Sequence, residues 1–170
     1  MCDILDFTKF IDFSLIYPYS LGTGAVVPSL KKRVVFMKLN INCLRDTLLS
    51  LEEWLVLNEE LEFCVVDLAE LCKTSSLLRY SKQEIAYTLV LLEEAGLIKA
   101  LIGYASDCIY DIDVVRLTFQ GHQFLDSIRP LPLWKKILSV SEKTGLTSVT
   151  ALAEISNMFL PEFIKSTSCQ

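Results

Sequence analysis

The sequence predicts a mainly helical domain with one small β-hairpin. Three observations carry that expectation. Ser81 and Glu84 stand three residues apart before an apolar-periodic run, the spacing of a capping box, and Gly96 follows that run where a left-handed helix stop belongs. Between Leu97 and Val115 the period changes from helical to two, with a short polar break at 105–107. Thr118 then opens a second run carrying Phe119, Phe124, Leu125 and Ile128.

Taken in order, the well-patterned chain begins at Met37. Leu44, Leu48, Leu51 and Leu55 repeat at helical spacing and predict a helix over 41–55, with Asn40 or Asn42 as its cap. Glu59, Glu60 and Glu62 fall in a connection, and residues 61–66 read as a short strand. Asp67 caps a short helix over 68–72, and 73–76 is a turn. The capped helix runs over 82–95. In its register Ile85, Leu89 and Leu92 face a core, while Lys82, Gln83, Ala86, Tyr87 and Val90 face outward. The hairpin pairs 97–104 with 108–115. Pro130 and Pro132 end the next helix and start another over 133–143, which Gly145 stops. Thr147 or Ser148 opens the last helix, with Val149, Leu152, Ile155 and Phe159 on one face, and Pro161 is expected to kink or end it. The order of elements is that of a winged helix. The expected organisation is an N-terminal extension over 1–36, a winged-helix-like domain over 37–128, a helical extension over 129–166 and a tail over 167–170.

Residues 1–36 have a different texture, with apolar residues on no clean period and breaks at Pro18, Gly22, Gly24 and Pro28. Met37 is expected to be the natural start. Lys32-Arg33-Val34 can be encoded by a purine-rich, ribosome-binding-like string just before its codon. The alternative is an N-terminal arm packed on the core.

Composition narrows the function classes. Hydrophobic residues make up 52% of the 170 and charged residues 22%, which predicts a globular chain. The longest near-apolar run, 85–92, is far short of the roughly 20 residues a membrane span needs. Net charge is −5, and it is uneven: residues 37–128 carry seven Lys/Arg against fifteen Asp/Glu. An acidic core repels phosphate and favours basic protein partners. Cys2, Cys43, Cys64, Cys72, Cys108 and Cys169 form no C-x-x-C pair, which points to single thiols in a reducing cytoplasm rather than a zinc site or disulfide framework.

No catalytic constellation is visible. His122 is the one histidine, and no nucleophile or carboxylate is spaced to work with it. Phosphate-cradling and metalloprotease motifs are missing. No cofactor, metal or small-molecule substrate is expected. The nucleic-acid reading has a definite contact set: Lys82, Gln83 and Tyr87 on the helix, with Lys99 and Arg116 on the wing. It is weakened by the lack of arginine on that helix and by Asp107, Asp111 and Asp113 on the wing. The protein-interface reading rests on Val90 and Leu91, apolar where readers of DNA are often polar, and on Val149, Leu152, Ile155 and Phe159. That last stripe reads as core or as a dimer interface. A protein partner or self-association is therefore favoured over nucleic acid, with a DNA-binding regulator as the alternative.

Met37-Lys-Leu-Asn, Tyr80-Ser-Lys-Gln-Glu-Ile, Glu94-Ala-Gly-Leu-Ile and Leu117-Thr-Phe-Gln-Gly-His-Gln-Phe-Leu-Asp together resemble a family of small bacterial and phage proteins, the domain of unknown function twenty-five-thirteen. Its most specific signature matches Leu117, Thr118, Gly121, His122, Phe124, Leu125 and Asp126. The resemblance runs from Met37 to about Phe159 and leaves out 1–36. It implies a winged-helix-like core, an intracellular setting and a prophage context. It brings no catalytic residues.

Overall fold

The computed structural model describes residues 38–106 and 108–168. The expectations for the first 36 residues, the Met37 start, Asp107 and the last two residues lie outside them. The described chain folds as α1 (Ile41–Trp54), β1 (Val66–Asp67), α2 (Leu68–Leu71), α3 (Lys82–Glu94), β2 (Ile98–Ala105), β3 (Cys108–Leu117), α4 (Phe119–Ile128), α5 (Leu131–Thr144) and α6 (Val149–Ser168). It is mainly helical with one small antiparallel sheet, the class the sequence predicts. The strands lie in the order β1-β3-β2, so β3 is central and β2 is an edge.

Helix ends are set by the residues that predict them. Asn40 accepts from the backbone N–H groups of Asn42 and Cys43 at α1. Ser81 and Glu84 exchange both bonds of the capping box, and the Asn40 amide also donates to Glu84 (3.1 Å), joining the starts of α1 and α3. At the other end of α3, Gly96 takes φ +70. Its N–H bonds the Glu93 carbonyl and that of Leu97 bonds Leu92, which makes a complete Schellman motif. Gly145 closes α5 in the same left-handed region.

One core runs through the whole described unit. Leu44, Leu48 and Leu51 of α1, Ile85, Leu89 and Leu92 of α3, and Ile112 and Val114 of β3 are buried with Leu125 and Ile128 of α4. Leu133, Trp134 and Ile137 of α5 and Val149, Leu152 and Ile155 of α6 belong to the same cluster. The helices after residue 129 thus complete the core.

Four local details differ from expectation. The strand expected over 61–66 is confined to Val66–Asp67, because Leu57 and Phe63 instead bridge each other across a turn. Helix α5 begins two residues earlier, at Leu131, with Pro132 in its first turn, where a missing N–H costs nothing. Phe119, the first residue of α4, is exposed, since that turn points Gly121 inward. Helix α6 passes through Pro161 to Ser168. The proline removes one donor from the carbonyl of Asn157, an exposed residue whose oxygen water can serve.

Candidate interaction surfaces

The signature around Thr118 is first a joint. The Thr118 hydroxyl shares its proton between the carbonyls of Gly96 (2.7 Å) and Leu97 (3.1 Å) and accepts from the Gly121 N–H (3.0 Å). The Thr118 N–H also bonds the Leu97 carbonyl. One side chain therefore ties the stop of α3 to the start of α4. Gly121 lies so close to Leu97 that a Cβ on it would stand 2.0 Å from the Leu97 oxygen. Leu117, Phe124 and Leu125 are buried. Of the signature residues, His122 and Asp126 are the exposed ones, and Asp126 faces Arg129 at 3.5 Å.

Arg45 secures the far end of α4. Its guanidinium donates to the carbonyls of Ile128 (2.9 Å) and Arg129 (2.8 Å) and lies 5.7 Å from the centre of the Trp134 ring. The positive charge thus meets the negative end of the helix dipole. Next to it, Asp46 accepts from the Tyr80 hydroxyl (2.6 Å) and from Arg79. Burial, then the Asp46 carboxylate, push the Tyr80 phenol well above its ordinary range.

The outward face of α3 is mixed. Lys82 and Gln83 are exposed in the first turn. Tyr87, Val90 and Leu91 are half-buried, and Val90 and Leu91 pack on the core. Tyr87 and Leu91 line a groove of about 500 Å³ with Lys38, Leu39, Glu94 and residues 147–150 at the start of α6. A larger groove of about 660 Å³ runs between α4 and α6, and Asp126 is the one charged residue on its walls.

The proposed nucleic-acid contacts divide into two groups. Lys82, Gln83 and Tyr87 occupy the first half of α3. Lys99 and Arg116 face each other in register across β2 and β3, beyond its other end. Along the helix axis, the end of α3 that leads into the hairpin lies about 18 Å from Lys82 and about 10 Å from Tyr87. The proposed interface residues divide too. Val149, Leu152 and Ile155 are buried inside this chain and Phe159 packs against them, so the chain itself covers the stripe that the sequence left between core and dimer interface.

A surface that the sequence did not single out lies at the base of the hairpin. Arg116 and His122 line a groove of about 360 Å³ with Glu52, Leu55, Val56, Leu57, Phe63 and Leu117. Glu52 is neutralised from below by Arg129 (2.6 Å), whose hydrogen bond holds that carboxyl below its ordinary value. The apolar wall stands on a built turn. Asn58 accepts through its side chain from the N–H groups of Glu60 and Glu62, while backbone bonds join Asn58 to Glu62 and Cys64 to Val56. The turn is local, but the groove joins residues far apart in sequence. Among the described residues, no group of three or more His, Cys, Asp or Glu is placed to hold a metal ion, and no helix is long and apolar enough to cross a membrane.

The family described as Hypothetical protein (DUF2513) matches residues 38–147, well over half of the chain. The chain belongs to this family. The matched stretch takes in α1 through α5, so the DUF2513 match covers the joint at Thr118, α3, the hairpin and the groove at its base. No curated protein and no solved structure matches the chain.

Proposed function

We propose that this DUF2513 protein is a non-enzymatic, winged-helix-like module that binds protein, in a regulatory role within a bacterial or prophage setting. The order α1-β1-α2-α3-β2-β3 with strand order β1-β3-β2 supports the winged-helix part of this reading. The observation that carries the protein-binding part is what the sheet and its flanking turn expose. Leu57, Leu61, Phe63 and Val65 before β1, and Leu101, Tyr104 and Tyr110 on the hairpin, are all open to solvent. Large apolar side chains left exposed on one turn and one hairpin favour a contact surface. Basic side chains are sparse by comparison, and those suited to phosphate stand at opposite ends of α3.

The alternative is a DNA-binding regulator that reads through α3 and the wing. It is favoured by the exposure of Lys82 and Gln83 in the first turn of α3. Fluorescence anisotropy of mixed duplex DNA at low ionic strength separates the two readings. The protein-binding reading expects no salt-dependent signal. A signal lost in the Lys82→Ala, Lys99→Ala double variant would replace it with the regulator. Affinity purification from the native cell supplies the positive arm. A partner held by the native chain should be lost from Leu57→Asp with Phe63→Asp, and retention of every partner by that variant would remove this surface from the proposal.

A further inference from the structure

We propose that the groove at the base of the hairpin binds a peptide carboxylate that sits beside a large apolar side chain. The inference rests on the protein-binding reading and names the chemistry of the partner.

Arg116 gives the first reason. It is exposed in a domain where acidic residues outnumber basic ones about two to one, yet among the described residues no carboxylate lies within ion-pair distance of it. Its one hydrogen bond goes to the neighbouring Leu117 carbonyl at 3.4 Å, long enough to give way easily. His122 lines the same groove, held there by the close approach of Gly121 to Leu97. A guanidinium fork can meet a carboxylate through two parallel N–H bonds, and an imidazole N–H can add a third. Glu52, the one acidic residue on the wall, is already engaged by Arg129 and does not compete strongly for Arg116.

The opposite wall gives the second reason. Val56 is 53% exposed, Leu57 54% and Phe63 48%. They are not on a slack loop: Leu57 and Phe63 bridge each other, and the turn between them is closed by the Asn58 side chain. A rigid turn that shows apolar groups to water is arranged to receive another apolar group. The volume, about 360 Å³, lies at the low end for small-ligand sites and suits one or two side chains.

Charge selects the class of occupant. Glu59, Glu60 and Glu62 lie on the turn that forms the apolar wall, and all three are exposed. They repel a polyphosphate backbone, with a charge on every unit, more than a single carboxylate whose charge Arg116 offsets. A groove that suits one or two side chains fits a partner's chain terminus, because the last residue brings its carboxylate and its apolar side chain together.

The test uses the full chain labelled with nitrogen-15 and three N-acetyl dipeptides: Leu-Phe as the free acid, Leu-Phe as the amide, and Asp-Phe as the amide. The expected result is a saturable shift of the backbone signals of Leu57, Phe63, Arg116 and His122 with the Leu-Phe free acid. The Leu-Phe amide should bind at least about tenfold more weakly, as should the free acid to R116Q, because each loses the charge-assisted pair. R116Q should melt with the native chain, since Arg116 packs in no core. Binding of the free acid in preference to the Asp-Phe amide supports a chain terminus, and equal or tighter binding of the Asp-Phe amide overturns it. Silence with the free acid, equal binding of acid and amide, or shifts confined to another face would overturn the proposal. The DNA titration judges the broader reading separately, so a silent groove in a chain that ignores DNA removes this site alone.

Discussion

Replacing Gly121 by alanine should destabilise the protein, although the residue sits inside a helix where that change ordinarily helps. An ordinary helical Gly→Ala substitution gains about 0.5–1 kcal/mol from backbone entropy. Here the new Cβ would lie 2.0 Å from the Leu97 carbonyl oxygen, well inside the 3.4 Å at which ordinary contact begins. The obstacle is backbone, and that backbone belongs to the Schellman turn closing α3. Neither partner can rotate away, so α4 must move by more than about 1 Å, a misfit of the kind that costs about 1–3 kcal/mol in tight packing. The movement also opens the Thr118 bond to the Gly121 N–H, a cap worth about 1 kcal/mol. After the entropic gain, a net loss of about 2–3 kcal/mol remains, a large share of the roughly 5–15 kcal/mol that holds a domain together. Urea unfolding followed by circular dichroism reads this as a midpoint lowered by about 1–2 M. A G121A variant as stable as the native chain, or more so, would refute the idea that the glycine serves close approach. Gly145→Ala is the useful contrast: nothing lies within 4 Å of its Cβ position, but φ +73 strains alanine by about 1 kcal/mol.

Arg45→Gln should lower stability by about 2 kcal/mol, because it removes charged hydrogen bonds to two carbonyls at the end of α4, and thermal melting checks this. Leu152→Ala should cost about 2–5 kcal/mol in urea, because the side chain is fully buried; a loss below 1 kcal/mol would mean that α6 does not complete the core. The capping-box backbone bond from Ser81 chiefly holds Glu84 below its ordinary value near 4.5, and Arg129 does the same for Glu52. A depressed folded-state value stabilises the fold above the ordinary glutamate range and loses that contribution as pH falls through it. Stability should therefore drop below about pH 5, and the drop should be smaller in Glu84→Gln, as pH-dependent urea titrations will read. Among the described cysteines, Cys64 and Cys108 should react rapidly with a thiol reagent, while Cys43, buried and with its thiol pushed up by that burial, should react only on unfolding.

What could be read from the sequence is what neighbouring residues decide. The Ser81–Glu84 box, the Asp67 and Thr118 caps and the stops at Gly96 and Gly145 each involve residues within a turn of one another, and each stands where the sequence puts it. The inward register of α3 was legible for the same reason. The turn at 56–64 was not. Leu61 takes φ +65 there, a conformation leucine rarely adopts and one its side chain does not announce. The outward face of α3 was legible in register only, because the start of α6, far along the chain, faces Leu91 across the groove. The groove at the hairpin base was out of reach altogether. It needs Glu52, Phe63, Arg116 and His122 brought together from three separate stretches, and no spacing rule connects them.

Two kinds of residue share the stretch from Leu117 to Asp126. Most of them do structural work at one joint: Thr118 and Gly121 lock α4 against the end of α3, and Leu117, Phe124 and Leu125 fill the core beside it. Residues of that kind fix a fold without fixing a partner. His122 is the exception, because its side chain is exposed in the groove beside Arg116 while its backbone is part of the joint. The close contact at Gly121 therefore has two effects. It sets the angle at which α4 leaves the sheet, and by doing so it sets where His122 stands relative to Arg116. A change at Gly121 should disturb the groove as well as the fold, whereas His122→Ala should disturb the groove alone. If the groove is the working surface, the two variants will lose carboxylate binding together while only the first loses stability.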